Sequence, residues 1–269
     1  MFSSLKKMAA CATSFFYAGM ELVYPASCPL CGEEKEEKTI TQTNKLRPTL
    51  CDDCTKQLTR DTRKQCLRCG APVGPHLSRE NGCTHCQKDN FRFKTVHALG
   101  LYDELLRDAC LQIKQPNREP LAASLAEILW QQRKTEFESL NINLVVPVPH
   151  HWWDRLLQTS HASHSIAQSL SAQLQVHFSS HLLYKTKRTP KQSQLVPTQR
   201  RTNLRGAFKI HSGKKLSGCT VLLVDDVLTT GATAHEGAKA LKQAGATEVH
   251  VAVIARGLGQ QTAMKNAIL

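Results

Sequence analysis

Thr220-Val221-Leu222-Leu223-Val224-Asp225-Asp226-Val227-Leu228-Thr229-Thr230-Gly231-Ala232-Thr233 decides the fold class of this chain. From Thr220 to Val224 the residues are apolar and rich in β-branched side chains, with no polar alternation. That is how a strand covered on both faces of a parallel sheet reads. Asp225 and Asp226 are expected to end the strand. After Thr229-Thr230-Gly231 the spacing turns helical from Ala234 to Gln243, and Ala244-Gly245-Ala246 supplies the stop. Strand, loop and helix in this order form one unit of an α/β fold. In such units ligands sit beyond the carboxyl end of the strand, where N–H groups of the loop and first helical turn face an anion.

These residue types suit a phosphorylated sugar. Adjacent Asp225 and Asp226 can accept hydrogen bonds from vicinal hydroxyls, directly or through Mg²⁺. Thr229, Thr230 and Thr233 offer hydroxyls and backbone donors to a phosphate, and Gly231 allows close approach. An isolated Asp-Asp pair is more often a helix cap beside a threonine-filled turn. The whole array behind a buried strand reverses that preference. In its order the stretch resembles the phosphoribosyl pyrophosphate (PRPP) signature of type I phosphoribosyltransferases. The resemblance implies an acidic pair holding the ribose and a Thr-Thr-Gly-x-Thr loop holding the 5′-phosphate.

At 269 residues the chain is long enough for one large domain or for a small and a medium one. Lys and Arg total 35 against 22 Asp and Glu, a formal +13 that favours polyanionic partners. Of 11 cysteines, eight form Cys-x-x-Cys pairs, a spacing suited to tetrahedral thiolate coordination rather than disulfides. Between Cys28 and Cys86 the chain is polar and turn-rich, so metal is expected to stabilise it. Cys28, Cys31, Cys51 and Cys54 form one expected site, and Cys66, Cys69, Cys83 and Cys86 the other. Gly32 and Gly70 follow the second cysteine of their pairs, where a tight turn belongs. With four thiolates per ion both sites are read as structural zinc. Cys11, Cys110 and Cys219 are read as small buried hydrophobes. Thiolate usage of this kind points to a reducing cytoplasm. Lys6-Lys7 followed by Met8 to Met20 resembles a short signal peptide, but Cys28 belongs to the first cysteine pair and the run is too short to span a bilayer. Residues 1–24 are read as an amphipathic helix on the protein body, with peripheral membrane contact as its alternative.

Residues 25–90 are thus expected to form a small double zinc ribbon, and 95–269 a parallel-sheet α/β domain of the type I phosphoribosyltransferase kind. Between them Phe91 to Lys94 reads as a linker. Thr95 to Tyr102 reads as a strand, Asp103 to Lys114 and Pro120 to Glu136 as helices, and Asn143 to Pro149 as a second buried strand. The double ribbon, Tyr102-Asp-x-Leu-x-Arg107, Val146-Pro-Val-Pro149, Arg188-Thr-Pro-Lys-Gln192, Gly206-Ala-Phe208 and the Asp-Asp loop follow one another in the order of the ComF family, which the chain resembles from about Ala26 to Arg256. The resemblance implies a bacterial, cytoplasmic protein of natural transformation that handles incoming single-stranded DNA, with DNA-uptake helicase or channel proteins as partners. Where that family carries Arg-Gly-Phe-Asn-Gln, this chain has Gln158-Thr-Ser-His-Ala162. An arginine and a glycine are lost from the segment that would face pyrophosphate, so binding of PRPP or a related ribose phosphate is expected ahead of turnover.

Basic residues crowd the stretch before the loop: Lys185, Lys187, Arg188, Lys191, Arg200, Arg201 and Arg205. Such a segment can be a solvated loop. Its place in the chain favours closing over an anion or tracking a phosphate backbone, with Lys187, Arg188, Lys191, Arg200 and Arg201 as nucleic-acid contacts. Trp152 and Trp153 are secondary candidates for stacking bases, and His161 with His164 has helical metal spacing that surface histidines also show. Three functions compete: a DNA-uptake protein using a phosphoribosyltransferase fold to bind PRPP and single-stranded DNA, a working phosphoribosyltransferase, and a zinc-ribbon adaptor with a vestigial site.

Overall fold

A computed structural model describes residues 27–34, 50–61, 63–74, 76, 78–80, 82–149, 162–186, 204–211, 213 and 215–258. The expected amphipathic helix at 1–24, Trp152, Trp153, His161 and most of the basic stretch lie outside these residues. Runs of Val, Ile, Leu and Ala with no polar alternation build the centre, because strands covered on both faces bury every side chain. These strands are β1 (Val96–Leu101), β2 (Leu144–Pro147), β3 (His177–Phe178), β6 (Thr220–Leu228) and β7 (Glu248–Arg256). They form one sheet in the order β1-β7-β6-β2-β3, and all four pairings are parallel.

Helices cover both faces. On one lie α2 (Glu104–Gln112), α3 (Glu119–Ser139) and α4 (Ala162–Leu174), whose Leu106, Leu125, Leu129, Ile166 and Leu170 pack with Leu222, Val224 and Ile254. On the other lies α5 (Ala232–Gln243), whose Ala234, Ala238 and Leu241 pack with Val221, Leu223 and Val253. A two-stranded antiparallel ribbon, β4 (Leu183–Lys185) with β5 (Phe208–Ile210), joins this second face. Among the described residues no helix is long and apolar enough to cross a membrane.

Two sequence-based expectations shift. Strand β6 does not stop at Val224: its ladder with β7 continues through Asp225 to Leu228, because β7 stays apolar to Ala255 and holds the pairing. Phe91 to Lys94 is packed and is no free linker, since Phe93 is 4% exposed and stacks on Phe91 with ring centroids 4.5 Å apart. Aromatic rings seek apolar surface, and here it is offered by the sheet domain.

The cysteine-rich region includes α1 (Asp52–Thr59) and docks along two lines. Cys28, Leu30, Leu50, Cys54 and Leu58 join the main cluster beneath α2 and α3, and Arg118 donates to the Pro29 carbonyl at 3.1 Å. Elsewhere, Val96 N–H of β1 donates to Leu67 O at 2.7 Å, and Arg79 pairs with Glu136 of α3 at 2.6 Å. Glu136 also accepts from buried His97, 2.8 Å away, and lies 3.5 Å from Arg133, where α3 kinks. Burial alone would raise the Glu136 carboxyl; His97, Arg79 and Arg133 override it and bring its pKa down from 4.5 to about 2.

A depressed carboxyl contributes stability that is complete above its unfolded pKa and lost as pH falls through the folded one. Glu136→Gln should therefore lower unfolding free energy at pH 7 by roughly 2 to 3 kcal/mol, the gap shrinking between about pH 4.5 and 2. Chemical denaturation at pH 7 and pH 3 checks this; an equal gap at both would refute the ion-pair account.

Candidate ligand site and metal centres

Strand β2 runs on through α4 to β3 on one side, whereas β6 runs on through α5 to β7 on the other, and the two helices cover opposite faces. The chain therefore reverses direction across the sheet between β2 and β6, and ligands of open parallel sheets bind in the crevice above such a switch point. Strand β2 contributes its last bond there from Val148 N–H to Val224 O at 2.8 Å. Beyond it, among the described residues, β6 pairs with β7 alone, and Asp225 and Asp226 stand in that gap.

The two carboxylates differ in their surroundings. Asp226 pairs with Lys114 at 2.9 Å and accepts from the Val227 N–H at 2.8 Å. Asp225 accepts from Ser163 Oγ at 3.3 Å, at the start of α4, and from the Asp226 N–H at 3.0 Å. Burial, with the neighbouring Asp226 charge, pushes the Asp225 pKa well above the ordinary carboxylate range. Burial alone would lower Lys114, but Asp226 outweighs it and holds the ammonium above its usual value. A cation bound here would compete with the proton that the raised Asp225 pKa favours.

After the strand the chain turns at Thr229, Thr230 and Gly231. Gly231 is the N-cap of α5 with φ +75°, a left-handed conformation that glycine adopts without strain. Helix α5 thus begins at Ala232, two residues ahead of the position that the spacing predicts, and Gly231 caps it instead of Asp226. Thr230 Oγ accepts weakly from the Ala232 N–H at 3.4 Å. Beside the loop a cavity of about 280 Å³ is lined by Asp89, Phe91, Arg205, Thr230, His235 and Lys239 among others.

The eight paired cysteines gather into two groups in sequential order, Cys28/Cys31/Cys51/Cys54 and Cys66/Cys69/Cys83/Cys86, with all sulfurs of a group within 4.8 Å of one another. Zn–S bonds of about 2.3 Å require sulfur–sulfur edges of about 3.8 Å in a tetrahedron. Observed edges are 3.7 Å for Cys31–Cys51, 3.8 Å for Cys66–Cys86 and 3.6 Å for Cys69–Cys83. Backbone donors already face the sulfurs: Cys51 N–H to Cys28 Sγ at 3.4 Å, Cys54 N–H to Cys51 Sγ at 3.4 Å and Cys83 N–H to Cys86 Sγ at 3.3 Å. At Cys28 burial alone would raise the thiol, but backbone donors from Cys31, Cys51 and Leu30 outweigh it and bring its pKa down from 9.0 to about 7. The residues fit two structural zinc ions. His76 and His85 are exposed and stand outside both groups.

A double zinc ribbon domain model matches residues 19–87 and a phosphoribosyl transferase domain model matches residues 161–267. Competence protein F of Haemophilus influenzae is 27% identical over 211 residues, which cover 77% of this chain and 90% of that protein. Along most of its length the chain is similar to that protein, in keeping with the resemblance of its motifs to the ComF family. The DNA utilization protein YhgH of Salmonella typhi is 29% identical over 217 residues, covering 78% of this chain and 91% of the relative; that of Escherichia coli K12 is 28% identical at the same coverage.

Among the site residues expected from the sequence, Asp225, Asp226, Thr229, Thr230, Gly231 and Thr233 fall together on the end of β6, the turn and the first turn of α5. Lys187, Arg188, Lys191, Arg200 and Arg201 lie outside the described residues; their flanks Lys185 and Arg205 lie at the end of β4 and just before β5. Of the two histidines at helical spacing, His164 packs edge-on against Phe178 with ring centroids 5.0 Å apart, and His161 lies outside the described residues. Cys110 is fully buried and Cys219 half-buried. Sequence reading passed over Lys114, Ser163 and Arg256. For Lys114 and Ser163 no local signal exists, since both reach Asp225 or Asp226 only through the packing of separate helices. Arg256 did carry one, a guanidinium closing a strand that is apolar from Val251 to Ala255.

Protein purified under reducing conditions should carry about two zinc equivalents, from two groups of four thiolates. Cys66→Ser should reduce this to about one and expose residues 63–74 and 82–90 to hydrogen exchange first, because metal binding in such a module is largely its folding energy. A metal content near zero in folded parent protein would overturn the zinc assignment.

Proposed function

We propose that this chain binds PRPP or a closely related ribose phosphate at the end of β6 and, alongside it, single-stranded DNA, as a DNA-handling protein of competence. The observation that carries the first part is the acidic pair standing in the crevice at the chain reversal, directly followed by a glycine turn and a helix N-terminus. Asp225 and Asp226 would take vicinal ribose hydroxyls or Mg²⁺, which when bound screens their charge from that of the pyrophosphate. Thr229, Thr230, Gly231 and Thr233 would take the 5′-phosphate through N–H and hydroxyl donors. Lys114 orients Asp226, and Ser163 orients Asp225.

The names of its relatives, a competence protein and DNA utilization proteins, support the second part. So does charge. The formal +13 of the chain is concentrated around a segment whose flanks, Lys185 and Arg205, lie beside α5, with Arg205 and Lys239 lining the cavity next to the loop. A backbone-tracking contact of this sort gives affinity without strong sequence preference. Turnover of PRPP with a base is the second reading; the change at Gln158 to Ala162 weighs against it, and a screen of bases for pyrophosphate release tests it.

Asp225→Asn or Asp226→Asn should weaken PRPP binding by roughly 1 to 3 kcal/mol, the cost of one charged contact. Titration calorimetry in the presence of Mg²⁺ reads this, and unchanged affinity in both variants would refute the ribose-phosphate site. In the parent protein, binding should also release protons. Burial beside the Asp226 charge raises the Asp225 pKa and favours its neutral form, whereas a cation or hydroxyl donor selects the ionised one. Affinity should accordingly fall as pH drops through that raised pKa. Calorimetry in buffers of different ionisation enthalpy gives the sign; net proton uptake would contradict it.

For DNA, the logarithm of affinity should fall with the logarithm of salt by about 0.7 for each phosphate neutralised. Substituting alanine for Arg200 and Arg201 should flatten the slope by one to two such steps, and fluorescence anisotropy with an oligothymidine would measure it. Binding insensitive to salt would favour the transferase reading.

A further inference from the structure

Arg256 ends the most buried strand of the sheet and is itself 6% exposed. Among the described residues its guanidinium meets carbonyls and no carboxylate. Nε donates to Cys69 O at 2.6 Å, and Nη1 donates to Leu228 O at 3.0 Å, Thr229 O at 2.5 Å and Gly257 O. One cation therefore joins a zinc-ligand residue to the first residues of the ligand loop. A buried charge needs a counter-charge. A zinc ion with four thiolates carries a net charge of about −2, whereas four protonated thiols carry none. Cys69, whose carbonyl Arg256 holds, is one of the four sulfur donors of that centre.

A second contact runs in parallel. Phe91 follows Cys86 by five residues, and the segment between is tied back by Asp89 N–H to Cys86 O at 3.0 Å and by Arg68 to Asp89 O. Its ring lies 2.9 Å from where a Cβ on Gly231 would be, so turn and ring touch with no slack. The first cysteine group has no such link among the described residues, because it packs beneath α2 and α3.

We propose that Arg256 is a positioning residue that makes the Cys66/Cys69/Cys83/Cys86 centre part of the Thr229–Gly231 loop, so that zinc there and a ribose phosphate on the loop stabilise one another. This rests on the ribose-phosphate reading above, and it gives the second zinc a role that the first lacks. Coupling between sites is reciprocal, so the effect of ligand on metal retention measures it without any reaction.

The test is zinc transfer from the full-length protein to a chromogenic chelator, its two phases assigned with Cys51→Ser and Cys83→Ser. PRPP with Mg²⁺ should slow the second-group phase by about tenfold, within the usual range of coupling between sites, and leave the first unchanged. Arg256→Lys keeps the charge but not the planar fork, and should lose this protection while retaining two zinc ions. Full protection in Arg256→Lys, or protection of the first group, would overturn the proposal. Calorimetry on the same preparation separates the two readings. If the parent protein does not bind PRPP, the ribose-phosphate reading falls by itself, and Gly231→Ala then decides the coupling. Its added methyl presses on Phe91 and should speed zinc loss from the second group about fivefold with no ligand present. Unchanged release would overturn the coupling.

Discussion

The unequal length of neighbouring strands is the constraint on which this molecule depends. Strands β6 and β7 each run nine residues and stay paired to Leu228 and Arg256, whereas β2 stops at Pro147 and β3 is two residues long. Val148 gives the last bond from β2 to β6. Alternate residues of a strand direct their N–H groups to the same neighbour, so Pro147 and Pro149 fall on the edge towards β3, which has already ended. Proline leaves no unpaired donor there. The outcome is a step in the sheet, and Asp225 and Asp226 stand on its riser. A carboxylate pair inside a complete five-stranded ladder would be buried without access to ligand.

Around that step the electrostatics are arranged asymmetrically. Asp226 has a lysine, while Asp225 has a hydroxyl and a backbone N–H, and burial beside the Asp226 charge holds the Asp225 pKa well above the ordinary carboxylate range. Similar carboxyls made unlike by their surroundings are a common way for a site to bind a cation and still tolerate burial. The helix that follows contributes N–H groups instead of charge, and Gly231 lets the chain enter it at a sharp angle.

The cysteine-rich region is integrated with the sheet domain instead of hanging from it. Its first half shares the core beneath α2 and α3, and its second half reaches β1, the end of β7 and the turn before α5. Small modules with few aliphatic residues cannot bury enough apolar surface to fold alone. Here metal and docking supply what composition does not, which explains why Phe91 and Phe93, between the two regions, are packed.

Sequence alone determined the elements that depend on local pattern. Apolar runs marked the buried strands, the Asp-Asp and Thr-Thr-Gly order marked the candidate loop, and Cys-x-x-Cys spacing marked two four-sulfur groups in the pairing observed. Each is a property of neighbouring residues, so it is legible without a fold. Tertiary structure decided what lies between distant segments. Lys114 meets Asp226 across 112 positions, Ser163 meets Asp225 across 62, and Arg256 meets Cys69 across 187. Nothing in the local sequence around these residues encodes a partner, because the contact exists only once strand order brings the carboxyl ends of β6 and β7 beside α2, α4 and the second cysteine group. The reach of β6 beyond Val224 has the same origin: two aspartates read locally as a stop, but a ladder held by an apolar neighbour carries them into the strand.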